Sequence, residues 1–484
     1  MTKSLIFAFV VVAGLIGSCT PATAPTSSRP SATPYPPLQT EGPYILFMRD
    51  NKNLTIMDAN GRGSKPILLP NDGYISPPRN SAVENIVSPD GKWLAYFTGS
   101  VREPYDLALH VLNIAEQTTF PVARLITPGF PQNLAPVKTS DAAELEGCTE
   151  DGCRMDLLEL AFREGIGSVA WSPDSQSLAF AAQIDGPSSD VYIFDIEDRS
   201  IRRLVDDLEN VLQIDWAPDG ERILYQNSTA GLTYLTAYIY VADPDQESPQ
   251  SPAVIDSGKL SHKQSWIADN LYLIVHGVER APPQDLRSLN TVTQELQDLW
   301  PYTAGSFAID ARQQAIVVST IPGGYFNSAP EEGTYHIPIR GEISKITVER
   351  FTLSNGFKES QVFGFRENQV YSILADGIIT RIGPSEWSEH LPPAASPNQE
   401  WILLLETQNK LTLYAAETYE QTKTWEIPET IYRVSWRPDS LGVFLLTNRS
   451  VYYLSVPDGN LIPLQDCSPN NRCPDIDFVW LPKK

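Results

Sequence analysis

The chain has 484 residues, 42% of them hydrophobic and 10% aromatic, which is ample for a large buried core and too much apolar material for a disordered protein. A formal net charge of -23 repels phosphate backbones and anionic headgroups, which argues against nucleic acid as a partner and against membrane attachment through a basic patch. The 40 Pro and 29 Gly are spread along the chain rather than gathered in one tract, which favours many short strands over long helices.

At the start of the chain, Lys3 supplies a positive charge, Leu5 to Ile16 form a nearly uninterrupted apolar run, and the small residues Gly17 and Ser18 follow. This is the layout of a secretory signal over residues 1–18. The run is too short for a permanent span, and no other stretch approaches the roughly 18 apolar residues a span requires. Ile16-Gly17-Ser18-Cys19 resembles the bacterial lipobox, and the resemblance implies that the Cys19 thiol carries a lipid and that Cys19 becomes the mature N-terminus. An ordinary cleaved signal with an incidental Cys is the alternative. Residues 19–43, dominated by Pro, Ser, Thr and Ala, cannot pack a core and read as an extended tether between a lipid and a domain. The expected location is therefore outside the cytoplasm. The protein would be anchored to the bacterial cell membrane or outer membrane only through its N-terminal lipid, facing the periplasm or the exterior.

From residue 44 onward one unit recurs: an apolar strand ending in an aromatic, a Ser/Ala-Pro-Asp/Asn-Gly-like turn, a second apolar strand, and a third with Tyr/Val/Leu alternation. The chain enters on Tyr44-Ile-Leu-Phe47 and Leu54-Thr-Ile-Met-Asp58, which match the second and third strands, with no first strand before them. Asn85-Ile-Val-Ser-Pro-Asp-Gly91 then leads into Trp93-Leu-Ala-Tyr-Phe97. The clearest copies are Ser168-Val-Ala-Trp-Ser-Pro-Asp174 and Gln213-Ile-Asp-Trp-Ala-Pro-Asp-Gly220, each followed by two further strands. Degenerate copies begin near Trp266 and Ser306, and later ones centre on Ser396-Pro-Asn398 and Val434-Ser-Trp-Arg-Pro-Asp439. The spacing of about 40 residues is that of four-stranded propeller blades. Pro presets φ, Asp bonds its own backbone and Gly takes the positive φ that reverses the chain, so the Pro-Asp-Gly stretch is a turn rather than an active site. The recurrent Trp reads as packing between blades.

These Trp-Ser-Pro-Asp-Gly-type repeats resemble those of the TolB-like and WD40-like propeller families, including the propeller domains of prolyl oligopeptidase-type enzymes, over nearly everything from residue 43 on. The resemblance is specific for architecture and poor for function. It departs from TolB itself in leaving no room for an N-terminal α/β domain. At the far end Asp477-Phe-Val-Trp-Leu-Pro482 matches the missing first strand, which predicts that it completes the first blade and closes the ring. The fold expected is all-β: a propeller of about eight four-stranded blades, with residues 304–385 as one irregular blade and seven or nine blades as alternatives.

Four further cysteines form two close pairs, Cys148 with Cys153 and Cys467 with Cys473, which export favours as disulfides closing loops of about six residues and contributing roughly 2 kcal/mol each. Zinc is the competing reading and lacks further ligands nearby in sequence. The five His, at 110, 262, 276, 336 and 390, include no chelating pair and read as incidental. Neither a nucleophile elbow nor a phosphate loop or dinucleotide fingerprint is present. Acidic pairs such as Asp243 with Asp245 read as turn residues rather than calcium ligands. No cofactor is expected.

Two functions stay open on sequence. The first is a monomeric binding scaffold for an envelope protein, peptide or glycan. The second is a propeller enzyme acting on glycans or peptides at the ring mouth; prolyl oligopeptidase-like enzymes would carry an α/β-hydrolase domain beside the propeller, and this chain stops once the ring is closed. In a four-stranded meander the first-to-second and third-to-fourth turns share one face, and the remaining connections share the other. The long segments, among them Thr98 to Asp106, Thr127 to Gly167 and Ile321 to Thr334, fall on the second face. Tyr105, Phe130, Tyr234, Tyr325 and Phe326 lie in these segments without an obvious strand to pack on, and are the candidate contact residues. Local plugs over the ring are the alternative for each.

Overall fold

In a computed structural model the chain is described over residues 42–481 except 49–53, 62, 76–85, 101–102, 127–167, 186–188, 207–209, 230–235, 259–264, 278–284, 311–313, 322–328, 356–361, 375, 384–390 and 467–476. The described residues contain no α-helix. They form nine antiparallel sheets, each a meander, numbered here as blades 1 to 9 in chain order. The innermost strands are Asp477–Leu481 in blade 1, Val169–Trp171 in blade 3, Asn210–Trp216 in blade 4 and Ser265–Ala268 in blade 5. They continue with Ala304–Asp310, Thr352–Asn355, Ala394–Ala395 and Ile431–Trp436 in blades 6 to 9. In blade 2 the inner strand shrinks to one bridge, Val87 to Leu94, beside the three strands Trp93–Ser100, Glu103–Asn113 and Thr119–Arg124.

Nine blades lie within the expected range, and the difference from eight has one source. Residues 304–385 supply two blades rather than one irregular blade. The seventh was hidden because its inner strand Thr352–Asn355 carries neither the Trp nor the Pro-Asp turn. Its apolar alternation is nonetheless real, with Leu353, Val362, Phe363, Val370 and Ile373 all buried. Its second and third strands, Val362–Arg366 and Gln369–Ile373, are joined through Glu367 and Asn368 at φ of 53° and 58°, the two-residue left-handed turn that matches strand twist.

The core is not one mass but a series of layers between neighbouring blades. One continuous cluster spans blades 1, 2 and 3, and others join 3 to 4, 4 to 5, 5 to 6, 6 to 7, 7 to 8 and 8 to 9. The last layer returns from blade 9 to blade 1, packing Phe444, Leu446 and Tyr453 against Ile45, Phe47 and Phe478, so the ring is closed. The closing strand pairs in register with Tyr44–Met48, from Tyr44 opposite Leu481 to Met48 opposite Asp477. Aromatic contacts strengthen the seam. Phe444 meets Phe47 at 5.7 Å and Trp480 edge-on at 5.1 Å, and the Arg433 guanidinium lies 4.3 Å over Phe478.

The repeated turn works as its residues suggest. In blade 3, Ser172 Oγ donates to Asp174 Oδ1 at 2.6 Å, and that carboxylate accepts the Gln176 N–H at 3.0 Å while Ser172 Oγ accepts the Ser177 N–H at 2.9 Å. Blades 2 and 8 repeat the pattern around Ser88 with Asp90 and Ser396 with Asn398. The recurrent Trp is an inter-blade residue, as expected. Trp171 Nε1 donates to Ile86 O at 3.2 Å and Trp436 Nε1 to Ala394 O at 2.9 Å, each reaching the preceding blade.

A feature missed in the sequence is the Ser that replaces Gly in two of these turns. Ser175 and Ser440 hold φ of 64° and 62°, a conformation that favours Gly, and both are buried. Each hydroxyl accepts an N–H from the previous blade's turn: Asp90 at 3.0 Å and Asn398 at 2.9 Å. Ser440→Ala is expected to cost about 1 kcal/mol in urea unfolding by deleting the latch while keeping the backbone strain. Ser440→Gly should recover most of that loss by relieving the strain. Equal stability of all three proteins would show that the latch contributes nothing.

Candidate binding face

The strand ends define two faces. The turn face carries the first-to-second and third-to-fourth connections, which are short except for 243–255 in blade 4. That segment was not anticipated. It leaves Ala242, runs along the outer edge of blade 3, where Gln250 bridges Val205 in parallel and donates to Leu204 O at 2.8 Å, and returns to Asp256. It covers an otherwise open sheet edge. Asp243 within it does serve a turn, its carboxylate accepting the Asp245 N–H at 3.0 Å.

The opposite, loop face carries the second-to-third connections and the crossings between blades. The connections 68–86, 125–168, 321–333, 383–393 and 467–476 all belong to it. Thr98 to Asp106 does not form a long loop there. Trp93–Ser100 and Glu103–Asn113 extend as a hairpin to Ser100 opposite Glu103, with a register shift between Thr98 and Ser100. The backbone of Tyr105 therefore belongs to a strand. Phe130, Tyr234, Tyr325 and Phe326 lie outside the described residues, as do Cys19, Cys148, Cys153, Cys467 and Cys473.

What the structure does describe on this face is its base, where buried polar groups fix the strand ends beneath the connections. Between blades 4 and 5, His276 ends one strand of blade 5 and Asp285 begins the next, with 277–284 joining them. His276 Nε2 lies 3.0 Å from Asp256 Oδ2 of blade 4, and its Nδ1 lies 3.0 Å from Asp285 Oδ1. Arg287 completes the clamp, 2.9 Å from Asp256 Oδ1 and 3.1 Å from both Asp285 and Asp298. Burial alone would depress the imidazole, but hydrogen bonds and charge from Asp256 and Asp285 raise it to about 9. The ring is thus an imidazolium donating from both nitrogens, a structural role rather than an incidental one.

Two further clamps recur around the ring. In blade 3, Arg203 pairs with Asp206 at 3.1 Å, Asp185 at 3.4 Å and the buried Asp190 at 3.5 Å, while Tyr192 donates its hydroxyl to Asp185. At the crossing from blade 8 to blade 9, Glu429 accepts from the hydroxyls of Thr447, Ser450 and Tyr452 and from the Arg449 N–H. Burial would raise that carboxyl, but these donors hold it below the usual range. Such clusters keep the base of the loop face rigid, as recognition loops require.

Other titratable groups are absorbed by the fold. Asp215 on the inner strand of blade 4 accepts from Gln213 at 2.7 Å and Tyr272 at 3.0 Å, and burial raises its carboxyl despite these bonds. His110 stacks on Tyr96 at 5.1 Å, bonds Thr98 Oγ1 at 2.9 Å, and is pushed down by burial. His336 is buried within blade 6 and likewise lowered by burial. His262 and His390 lie outside the described residues. The His276 clamp could not be found from sequence, because its members come from two blades and share no local spacing. The signal that did exist was Asp285-Leu-Arg287, alternate residues that face the same side of one strand.

Among solved structures, the chain is similar to a crystal structure of the eukaryotic initiation factor at 13% identity, covering 92% of this chain and 99% of that one with a TM-score of 0.52. It is also similar to dihydro-heme d1 dehydrogenase NirN in complex with DHE, at 10% identity over 89% of this chain and 76% of that one, TM-score 0.46. TolB from Acinetobacter baumannii matches at 16% identity over 62% of this chain and 65% of that one, TM-score 0.30. At 13% identity the likeness to the first of these is one of fold alone. No family model matches the chain, and no curated protein matches it.

Proposed function

We propose that this chain is an exported, lipid-anchored β-propeller that serves as a binding scaffold for an envelope protein, peptide or glycan, and that it binds through its loop face. The observation that carries the reading is the asymmetry of the two faces. Short, self-bonded turns occupy one apart from 243–255, whereas the strand ends joined by 125–168, 321–333, 383–393 and 467–476 all lie on the other, beside a base pinned by the His276, Arg203 and Glu429 clusters. A rigid frame that presents long segments on one side is the usual architecture of recognition. The signal-like segment 1–18, Cys19 and the Pro-rich stretch that follows support export and anchoring.

Mass spectrometry of the protein purified from its native envelope tests the anchor. The expected N-terminal residue is Cys19 bearing a diacylglyceryl group, and an unmodified Cys19 would sink that part of the reading. Binding is tested by cross-linking capture from the same envelope, followed by substitution. Ala at Tyr105, Phe130, Tyr234, Tyr325 and Phe326 together is expected to weaken the captured complex at least about tenfold with the melting temperature unchanged. Asp219→Ala on the turn face should leave it intact. Weakening by the turn-face change alone would assign binding to the other side.

A further inference from the structure

The innermost strands of a propeller line its central channel. Exposed residues on them, among them Ser265, Thr352 and Arg433, make that wall accessible to solvent. Where blades 4 and 5 meet, Gln213 and Asp215 of one inner strand and Trp266 of the next are each only part-buried. Gln213 and Asp215 are alternate residues and so share one side of their strand, the side that faces blade 5. Tyr272, on the second strand of blade 5, Leu271–His276, ties the group together. Its hydroxyl donates to Asp215 Oδ2 at 3.0 Å, and its ring meets Trp266 edge-on at 4.9 Å.

This corner is ordered from beneath. Gln226 donates to the Tyr272 hydroxyl, which leaves the phenol proton for Asp215. Gln213 Nε2 donates to the same carboxyl oxygen at 2.7 Å. Both bonds fall on Oδ2, and Oδ1 has no partner among the described residues. Any proton on this carboxyl therefore sits on Oδ1, and burial favours the neutral acid that carries it. The indole N–H of Trp266 and the amide oxygen of Gln213 likewise have no partner among the described residues. The corner thus presents an aromatic ring beside three open polar groups, on side chains that the Tyr272 network holds in place.

We infer that this corner of the channel wall is a binding site for a neutral sugar, with Trp266 against the C–H face of the ring and Gln213 and Asp215 on its hydroxyls. The site is separate from the loop-face site proposed above and does not depend on it. A sugar ring joins an apolar face to adjacent hydroxyls that each donate and accept, which is the combination these three side chains meet. A peptide backbone matches the open polar groups but brings an apolar face beside them only through a particular side chain. The net charge of -23 disfavours sugars that carry carboxylate or phosphate.

Titration calorimetry of the full-length protein against maltotriose, cellotriose, mannotriose and chitotriose tests the site. At least one of these sugars is expected to bind with a Kd below about 1 mM. Asp215→Ala should weaken that binding at least about tenfold. Trp266→Phe keeps a ring against Tyr272 but loses the N–H, and should weaken it at least about threefold with the melting temperature unchanged. Asp215→Asn, whose amide still accepts on one side and donates on the other, should bind within about twofold of the natural protein. Tyr325→Ala combined with Phe326→Ala, in the 321–333 connection, should leave sugar binding as it was. Binding of none of these sugars, or binding that survives both Asp215→Ala and Trp266→Phe, would overturn the site. Loss in the Tyr325 and Phe326 variant with retention in Asp215→Ala would move the sugar to the loop face and overturn it equally. A loss in Asp215→Asn as large as that in Asp215→Ala would overturn the donor role of Oδ1. Binding of the tripeptide Gly-Trp-Gly in place of every sugar, abolished by Asp215→Ala, would overturn the ligand class.

Discussion

A protein lacking residues 477–484 is expected to melt at least about 7 °C below the full chain and to aggregate on heating. The closing strand supplies the whole inner strand of blade 1, and its removal leaves Tyr44–Met48 as an open edge inside the ring. It also removes Phe478, buried against Phe47 and Arg433, and Trp480, whose Nε1 donates to Ser435 Oγ at 3.1 Å across the seam to blade 9. Truncating aromatics of this kind costs about 3 kcal/mol each at the lower end, so the two together approach 6 kcal/mol. With about 2.1 cal/mol/K of unfolding entropy per residue in a domain of this size, 6 kcal/mol corresponds to about 7 °C. Lost ladder hydrogen bonds would increase the shift. Phe478→Ala alone should give about half of it. Scanning calorimetry of the three proteins decides the matter, and a truncated protein that melts with the full chain would show that closure by this strand contributes nothing to stability.

Stability should also fall as pH rises from neutrality towards 9, through His276. The folded ring, raised to about 9, lies above the ordinary 6.5 of an unfolded His. A folded value above the unfolded one means that the native state binds the proton more tightly, so the contribution is complete below pH 6.5. It diminishes between 6.5 and 9 and is absent above 9. A shift of that size in a side chain only 12% exposed corresponds to about 3 kcal/mol. His276→Gln should remove this part of the pH slope and cost about 3 kcal/mol at pH 6, while converging on the natural protein at pH 9.5. Asp256→Asn should destabilise in the same direction, since it leaves His276 and Arg287 facing one fewer carboxylate in a buried site. Urea denaturation at pH 6 and 9.5 measures both effects. Parallel loss at both pH values would assign His276 a packing role without its charge.

The sequence by itself determined the class of fold, the repeat and the closure of the ring. These rest on short-range chemistry. Ser-Pro-Asp-Gly specifies a tight turn wherever it stands, period-two alternation specifies a buried strand, and an unmatched strand at each end of the repeat has only the other to pair with. The Trp of the repeat was legible as inter-blade packing for the same reason, because it recurs at one position of one strand.

Tertiary structure alone decided what depends on neighbours distant in the chain. Blade 7 became visible only when Thr352–Asn355 was seen paired, since a strand without its turn signal is indistinguishable from a loop in sequence. Ser175 and Ser440 gain their role from turns 85 and 42 residues earlier. His276 read as incidental because its charge is set by Asp256 on another blade, and no local spacing encodes an electrostatic environment assembled across a blade boundary. The Pro-rich composition before residue 44 is plain in the sequence, but the face at which the chain enters the propeller is fixed by the strand that pairs with Tyr44, and pairing across the whole length of the chain is a property of the folded ring.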